Sequence, residues 1–216
     1  MRALRVMRLR DIVERLPDVV GRMGPDAPIG GICADSRRVA PGDLFVAIPG
    51  TSVDGHDFIG EAVRAGAVAV VGELPTEVIR GEPGQDFSYV RVTDARKAWA
   101  WASAVWEGFP SRDLTLIGVT GTDGKTTTVS LIHAVLGAAG LRTGMVSTVK
   151  AVIPAAETGE DGWEEADTGL HTTTPDPAQV QGYLAKMVER EVTHGVLEVT
   201  SHGLAQQRGA GCDFDV

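Results

Sequence analysis

The 216-residue chain is 43% hydrophobic and 23% charged, an ordinary globular balance with length for one large domain or two small ones. A formal net charge of −9 excludes a non-specific nucleic-acid binder, and no apolar run approaches the ~20 residues of a membrane span. Two distant cysteines, Cys33 and Cys212, lack CxxC spacing and fit a reduced, cytoplasmic setting rather than a disulfide framework.

In chain order, the opening through Leu16 interleaves arginines with apolar residues, which predicts an amphipathic helix rather than a signal peptide. Residues 29–36 and 43–49 read as strands around the turn 39–42. Residues 57–66 read as a short helix with a strand, 67–71, behind it. A further strand, 89–92, precedes a helix capped by Asp94 and running to about Glu107. The segment 108–113 reads as a linker, dividing the chain into residues 1–109 and 110–216.

The second unit begins with an apolar strand, 114–120. A glycine-rich turn and a helix from Lys125 to about Ala139 follow. Next come a strand at 142–149, a hairpin, a helix at 176–190 and a strand at 194–200. The hairpin carries Glu157, Glu160, Asp161, Glu164, Glu165 and Asp167, read as a solvated loop. Alternating strands and helices imply an α/β fold with a parallel sheet covered on both faces. Such a sheet binds ligands at the carboxyl ends of its strands.

The turn carries the strongest chemical signal, Gly-Val-Thr-Gly-Thr-Asp-Gly-Lys-Thr-Thr-Thr from Gly118 to Thr128. It is a tighter variant of the phosphate-binding loop: amides and a helix N-terminus cradle an anion, Lys125 reaches the outer phosphates, and the Thr126 hydroxyl ligates Mg²⁺. Glu198, ending the strand 194–200, is placed to hold Mg²⁺ directly or through water; a solvent-facing carboxylate is the plain alternative. Thr172, Thr173 and Thr174 precede a helix whose cap Thr174 or Asp176 supplies, although three hydroxyls beside a phosphate site also suit substrate. Arg208 reads equally as an anion partner and as a surface salt bridge. Ser201 and His202 lack a nucleophile elbow, and the remaining histidines lack metal-ligand spacing.

Several separated segments resemble the Mur ligases. They are Asp35-Ser36-Arg37, Pro41 through Ala47, Gly50 with Asp54-Gly55-His56, the phosphate loop, Thr173-Thr174-Pro175-Asp176, and Glu198 through Gln206. Within that family the chain is most similar to the branch that adds a diamino acid to UDP-MurNAc-L-Ala-D-Glu. The resemblance implies a small α/β domain gripping the UDP end of the substrate (1–109), then part of a phosphate-loop ATPase domain (110–216). It also implies ATP and Mg²⁺ as cofactors, an acyl-phosphate intermediate, small-molecule substrates only, and a monomeric enzyme. Residue by residue, it implies that Gly121, Thr122, Asp123, Gly124, Lys125, Thr126 and Thr127 bind ATP and that Thr126 and Glu198 serve Mg²⁺. Ser36, Thr51, Ser52 and Val53 match positions on the uridine nucleotide. Thr172, Thr173, Thr174, Thr200, Gln206 and Arg208 match positions around the muramoyl peptide.

Two residues depart from the family pattern. Asp123 stands where Asn is usual, adding a carboxylate beside the triphosphate, and Thr200 replaces a Ser. On this resemblance the chain is an N-terminal fragment, with the rest of the ATPase domain, a carbamylated lysine and an amino-acid-binding domain beyond Val216. It would not complete the reaction alone, and its last strand, 194–200, would lack a neighbour. Another Mur-type ligase, a folylpolyglutamate-type ligase and a non-catalytic nucleotide-binding module are the alternatives; the segments at 35–37 and 41–43 argue against the folate enzyme.

Overall fold

A computed structural model describes residues 5–50, 53–79, 86–155, 163–167 and 174–216. The chain divides into two compact units, Met1–Trp106 and Glu107–Val216. Among the described residues no helix is long and apolar enough to cross a membrane.

The first unit opens on strand β1 (Met7–Arg8) and a five-residue helix α1 (Leu9–Val13), followed by β2 (Val19–Met23), β3 (Pro28–Ile29) and β4 (Gly31–Cys33). The long amphipathic helix expected through Leu16 is therefore a correction. Its apolar positions Leu9, Ile12 and Leu16 are buried as the periodicity requires. However, Arg8 is extended and pairs with Pro28, so helix begins only at Leu9. The expected strand 29–36 is likewise broken: Gly30 separates β3 from β4 and donates its N–H to the Gly42 carbonyl (2.9 Å).

Then come β5 (Asp43–Val46), α2 (Ile59–Ala65), β6 (Ala69–Gly72), β7 (Ser88–Val92) and α3 (Ala95–Glu107). The main sheet has the order β2-β7-β6-β5-β4, parallel except at β2, which runs against β7. Asp94 caps α3, accepting the Lys97 N–H at 2.9 Å. Phe45, Val70 and Tyr89 pack with Ile59 and Ala62 of α2 to form the core on one face.

The second unit contains β8 (Thr115–Val119), α4 (Lys125–Ala138), β9 (Thr143–Val146), β10 (Lys150–Pro154) and β11 (Trp163–Asp167). It continues with α5 (Pro177–Glu189), β12 (His194–Glu198) and α6 (Ser201–Ala205). Sheet order is β11-β10-β9-β12-β8; β9, β12 and β8 are parallel, and β10 and β11 form an antiparallel hairpin. Alternate residues face opposite sides of the sheet. Met145, Val152 and Val196 join Val129 of α4, whereas their neighbours Val146, Ile153 and Leu197 join Val180, Leu184 and Met187 of α5. Each face thus has its own helix and core, as the pattern predicts, with parallel pairing confined to β9, β12 and β8.

A second correction concerns the edge. The last strand, β12, was expected to lack a neighbour, yet it lies between β9 and β8 with five residues registered against β8. The edge beside it is β8, and the C-terminal residues cover that edge. The Asp215 carboxylate accepts the Leu116 N–H (2.8 Å), the Asp215 N–H reaches the Leu116 carbonyl (2.9 Å), and the Gly118 N–H reaches the Val216 carbonyl (2.8 Å).

Candidate nucleotide site

At the carboxyl end of β8 the chain turns through Thr120–Gly124 into α4. Gly121 (φ +148°) and Gly124 (φ +74°) hold conformations that favour residues without a Cβ, and Gly124 supplies the N-cap of α4. The first bond of the helical ladder runs from the Thr128 N–H to the Gly124 carbonyl (2.8 Å). The amides of Lys125, Thr126 and Thr127 precede that ladder and face out of the N-terminus, where the helix dipole favours an anion. Thr122, Asp123 and Thr127 are exposed. The Lys125 ammonium donates to the Gly121 (3.0 Å) and Thr122 (3.1 Å) carbonyls, lying back over the loop.

Glu198, at the end of β12, is only 2% exposed, which excludes the solvent-facing alternative. Because β12 is parallel and adjacent to β8, with Glu198 opposite Val119, its side chain meets the first turn of α4. The Thr126 hydroxyl donates to Glu198 Oε2 at 2.9 Å. That oxygen also accepts the Thr148 N–H (3.1 Å) and the Thr148 hydroxyl (3.4 Å), whereas Oε1 accepts no hydrogen bond among the described residues. Sequence reasoning missed Thr148. The available signal was a pair of hydroxyl residues, Ser147-Thr148, just beyond a parallel strand, where such sheets carry their sites.

Thr174 and Thr200 form a second cluster beside Glu198. Their hydroxyls lie 3.2 Å apart, the Thr200 N–H donates to Thr174 Oγ1 (3.0 Å), and Thr200 Oγ1 caps α6 through the Gly203 N–H (3.0 Å). Thr174 is fully buried and Thr200 nearly so. Of the two caps that the sequence offers for α5, Thr174 and Asp176, the helix takes Asp176, in a capping box with Gln179. Gln206 follows α6, and its side-chain carbonyl accepts from Arg208 Nη2 (2.7 Å) and Nε (3.0 Å). Arg208 Nη1 donates to the Thr174 carbonyl. The guanidinium thus bridges the approach to α5 and the end of α6, a role that neither sequence reading of Arg208 anticipated.

In the first unit, Ser36 opens a short helical turn capped by Asp35, whose carboxylate also binds Arg37 at 2.8 Å; that guanidinium holds the Asp35 carboxyl below the usual range. Val53 is exposed in a loop closed by the Gly50 N–H to Val53 carbonyl bond (3.0 Å). Its base is fixed by the Asp54 carboxylate, which faces His56 Nδ1 at 2.6 Å, while His56 Nε2 accepts the Glu73 N–H at 2.9 Å. The Glu73 donor leaves Nε2 unprotonated, so the proton sits on Nδ1. Thr51, Ser52, Thr172, Thr173 and the acidic hairpin tip lie outside the described residues.

Comparison with known proteins places the chain among relatives of one family. Residues 28–100 match the description "Mur ligase family, catalytic domain" and residues 119–216 match "Mur ligase middle domain". A "UDP-N-acetylmuramyl-tripeptide synthetase" of Deinococcus radiodurans is 42% identical over 212 residues, which are 97% of this chain and 41% of that protein. A "UDP-N-acetylmuramoyl-L-alanyl-D-glutamate--2,6-diaminopimelate ligase" of Gloeobacter violaceus is 41% identical over 208 residues, 93% of this chain and 39% of that protein. A solved structure with that same ligase name superposes with a TM-score of 0.64 at 27% identity, covering 87% of this chain and 35% of its own. The chain therefore spans about two fifths of the length of the curated relatives it matches. With both domain descriptions falling in chain order on its two units, the chain belongs to the Mur ligase family.

Proposed function

We propose that the protein is an ATP-dependent amide ligase that adds a diamino acid to UDP-MurNAc-L-Ala-D-Glu, and that these residues supply its nucleotide grip and part of its substrate grip. The observation that carries this reading is the 2.9 Å bond between Thr126 and Glu198, which joins a phosphate loop to a buried strand-end carboxylate 72 positions away. The names of the relatives make 2,6-diaminopimelate the first amino acid to test. On this reading residues 1–109 hold the uridine end of the substrate and residues 110–216 begin the ATP-binding domain.

The chain's own groups have defined tasks. Loop amides and Lys125 bind and align the triphosphate, with Lys125 exchanging its two carbonyl contacts for phosphate oxygens. Thr126 and Glu198 are hard oxygen donors, and no group of three or more His, Cys, Asp or Glu able to hold a metal occurs among the described residues. These two residues would hold Mg²⁺, which takes few protein oxygens, rather than a cation that needs an all-protein cage. When bound, Mg²⁺ supplies charge neutralisation on the phosphates during transfer of the γ-phosphoryl group to the substrate carboxylate. Ser36, Thr51, Ser52 and Val53 are assigned to the uridine nucleotide. Thr172, Thr173, Thr174, Thr200, Gln206 and Arg208 are assigned to the muramoyl peptide, with buried Thr174 and Thr200 shaping the pocket wall rather than presenting free hydroxyls.

The test is calorimetric titration of this chain with UDP-MurNAc-L-Ala-D-Glu and with MgATP, using UDP-GlcNAc and a folate as controls. Saturable binding that prefers the muramoyl dipeptide, together with MgATP binding, is expected. Preferential folate binding would replace the assigned substrate class.

A further inference from the structure

Thr148 belongs to no motif in the chain, yet it contacts the buried carboxylate of the nucleotide site twice, through its N–H and its hydroxyl. We propose that Thr148, presented by the β9–β10 turn, is a positioning residue that fixes Glu198 for a Mg²⁺–nucleotide complex. The proposal rests on the ATP reading above.

Register brings the two residues together. β9 and β12 are parallel neighbours with Val146 opposite Leu197, so the chain just beyond each strand end brings Thr148 beside Glu198. A turn between two strands is ordinarily free to shift, but this one is braced from within. The Ser147 hydroxyl accepts the Val149 N–H (3.2 Å) and the Lys150 N–H (3.0 Å) and donates to the Lys150 carbonyl (3.0 Å). The Ser147 N–H reaches that same carbonyl at 2.9 Å. Ser147 and Thr148 are both buried, so the turn is held inside the unit rather than hanging in solvent.

The distribution of bonds on the carboxylate explains what the brace achieves. Thr126 and both Thr148 groups converge on Oε2, and Oε1 accepts none among the described residues. Tying down one oxygen fixes the carboxylate plane and leaves the other as the ligand atom. Losing a group that orients a metal ligand in this way typically costs about 10–100-fold in affinity for the ion. The Thr126 hydroxyl donates its proton to Oε2 and keeps its lone pairs for the metal, so the same bond aligns both ligands.

The test measures ATP binding to this chain by calorimetry across a series of Mg²⁺ concentrations and in EDTA. Thr148→Val keeps the backbone N–H and removes the hydroxyl. It should need about tenfold more Mg²⁺ for half-maximal ATP binding, with ATP affinity in EDTA unchanged, and Thr148→Ser should restore the parent value. Equal Mg²⁺ requirements in parent and variant overturn the proposal. So does an equal loss with and without Mg²⁺, which marks a general distortion of the loop. Should circular dichroism show Thr148→Val to be unfolded, Thr148→Ala carries the same expectation. A parent chain that binds no ATP in a Mg²⁺-dependent way overturns the nucleotide reading itself, and the role of Thr148 with it.

Discussion

Lys125 and Gly203 illustrate two opposite kinds of residue at the candidate site. The Lys125 ammonium touches only loop carbonyls among its described partners, at an accessible helix start. Lys125→Ala should therefore leave the urea midpoint close to the parent, since surface changes of this kind cost less than ~0.5 kcal/mol, while ATP binding falls at least tenfold. Retained ATP affinity would remove Lys125 from the phosphates. Gly203 carries no ligand role, yet a Cβ there would stand 2.4 Å from Thr174 Oγ1 and 2.7 Å from Thr174 Cβ. Thr174 is fully buried. Gly203→Ala should cost about 1–3 kcal/mol in urea unfolding through overpacking; an unchanged midpoint would show that the Thr174–Thr200 cluster is soft.

At the scale of elements, helix starts and sheet edges decide local stability. α5 begins at Asp176, whose carboxylate accepts the Ala178 N–H (3.0 Å) while Gln179 reaches back to the Asp176 N–H (3.2 Å). Asp176→Ala should cost about 1 kcal/mol, read from the same unfolding curves. At the β8 edge the Asp215 carboxylate stands in for a neighbouring strand by accepting the Leu116 N–H. Asp215→Ala should speed hydrogen exchange at Leu116 more than at Val196 on the interior strand β12, because an edge amide without its acceptor opens to water. Equal exchange at both positions would mean that the backbone of the tail suffices.

These elements also show why parts of the chain were legible in the sequence. The phosphate loop announces itself through glycine spacing, and α5 through the hydroxyl and carboxylate residues that precede it. The opening was misread because Leu9, Ile12 and Leu16 keep helical spacing over a stretch too short to be one helix, and strand pairing at Arg8 overrides the pattern.

Across the whole molecule, burial in each unit lifts groups that titrate at high pH, Tyr89 and Cys212 the furthest among the described residues. Burial pushes the Tyr89 hydroxyl, in the first unit, up to about 12 from an ordinary value of 10.0. It pushes the Cys212 thiol, in the second, up to about 12 from 9.0. The folded chain keeps protons that the unfolded chain releases, so this stability is complete below about pH 9 and is lost as pH rises towards 12. Tyr89→Phe keeps the ring and removes the titration; its stability should fall less steeply than the parent's between pH 10 and 12. Parallel slopes would mean that Tyr89 ionises freely in the folded state.

The sequence by itself determined the α/β class, the phosphate loop and the family, since each is written in local spacing and in runs of contiguous residues. Only the tertiary structure decided that β12 lies inside its sheet, and that Glu198 is buried against Thr126 and Thr148. Strand order and register bring together residues 50 and 72 positions apart. That choice is made by the packing of two faces at once, which no local pattern along the chain encodes.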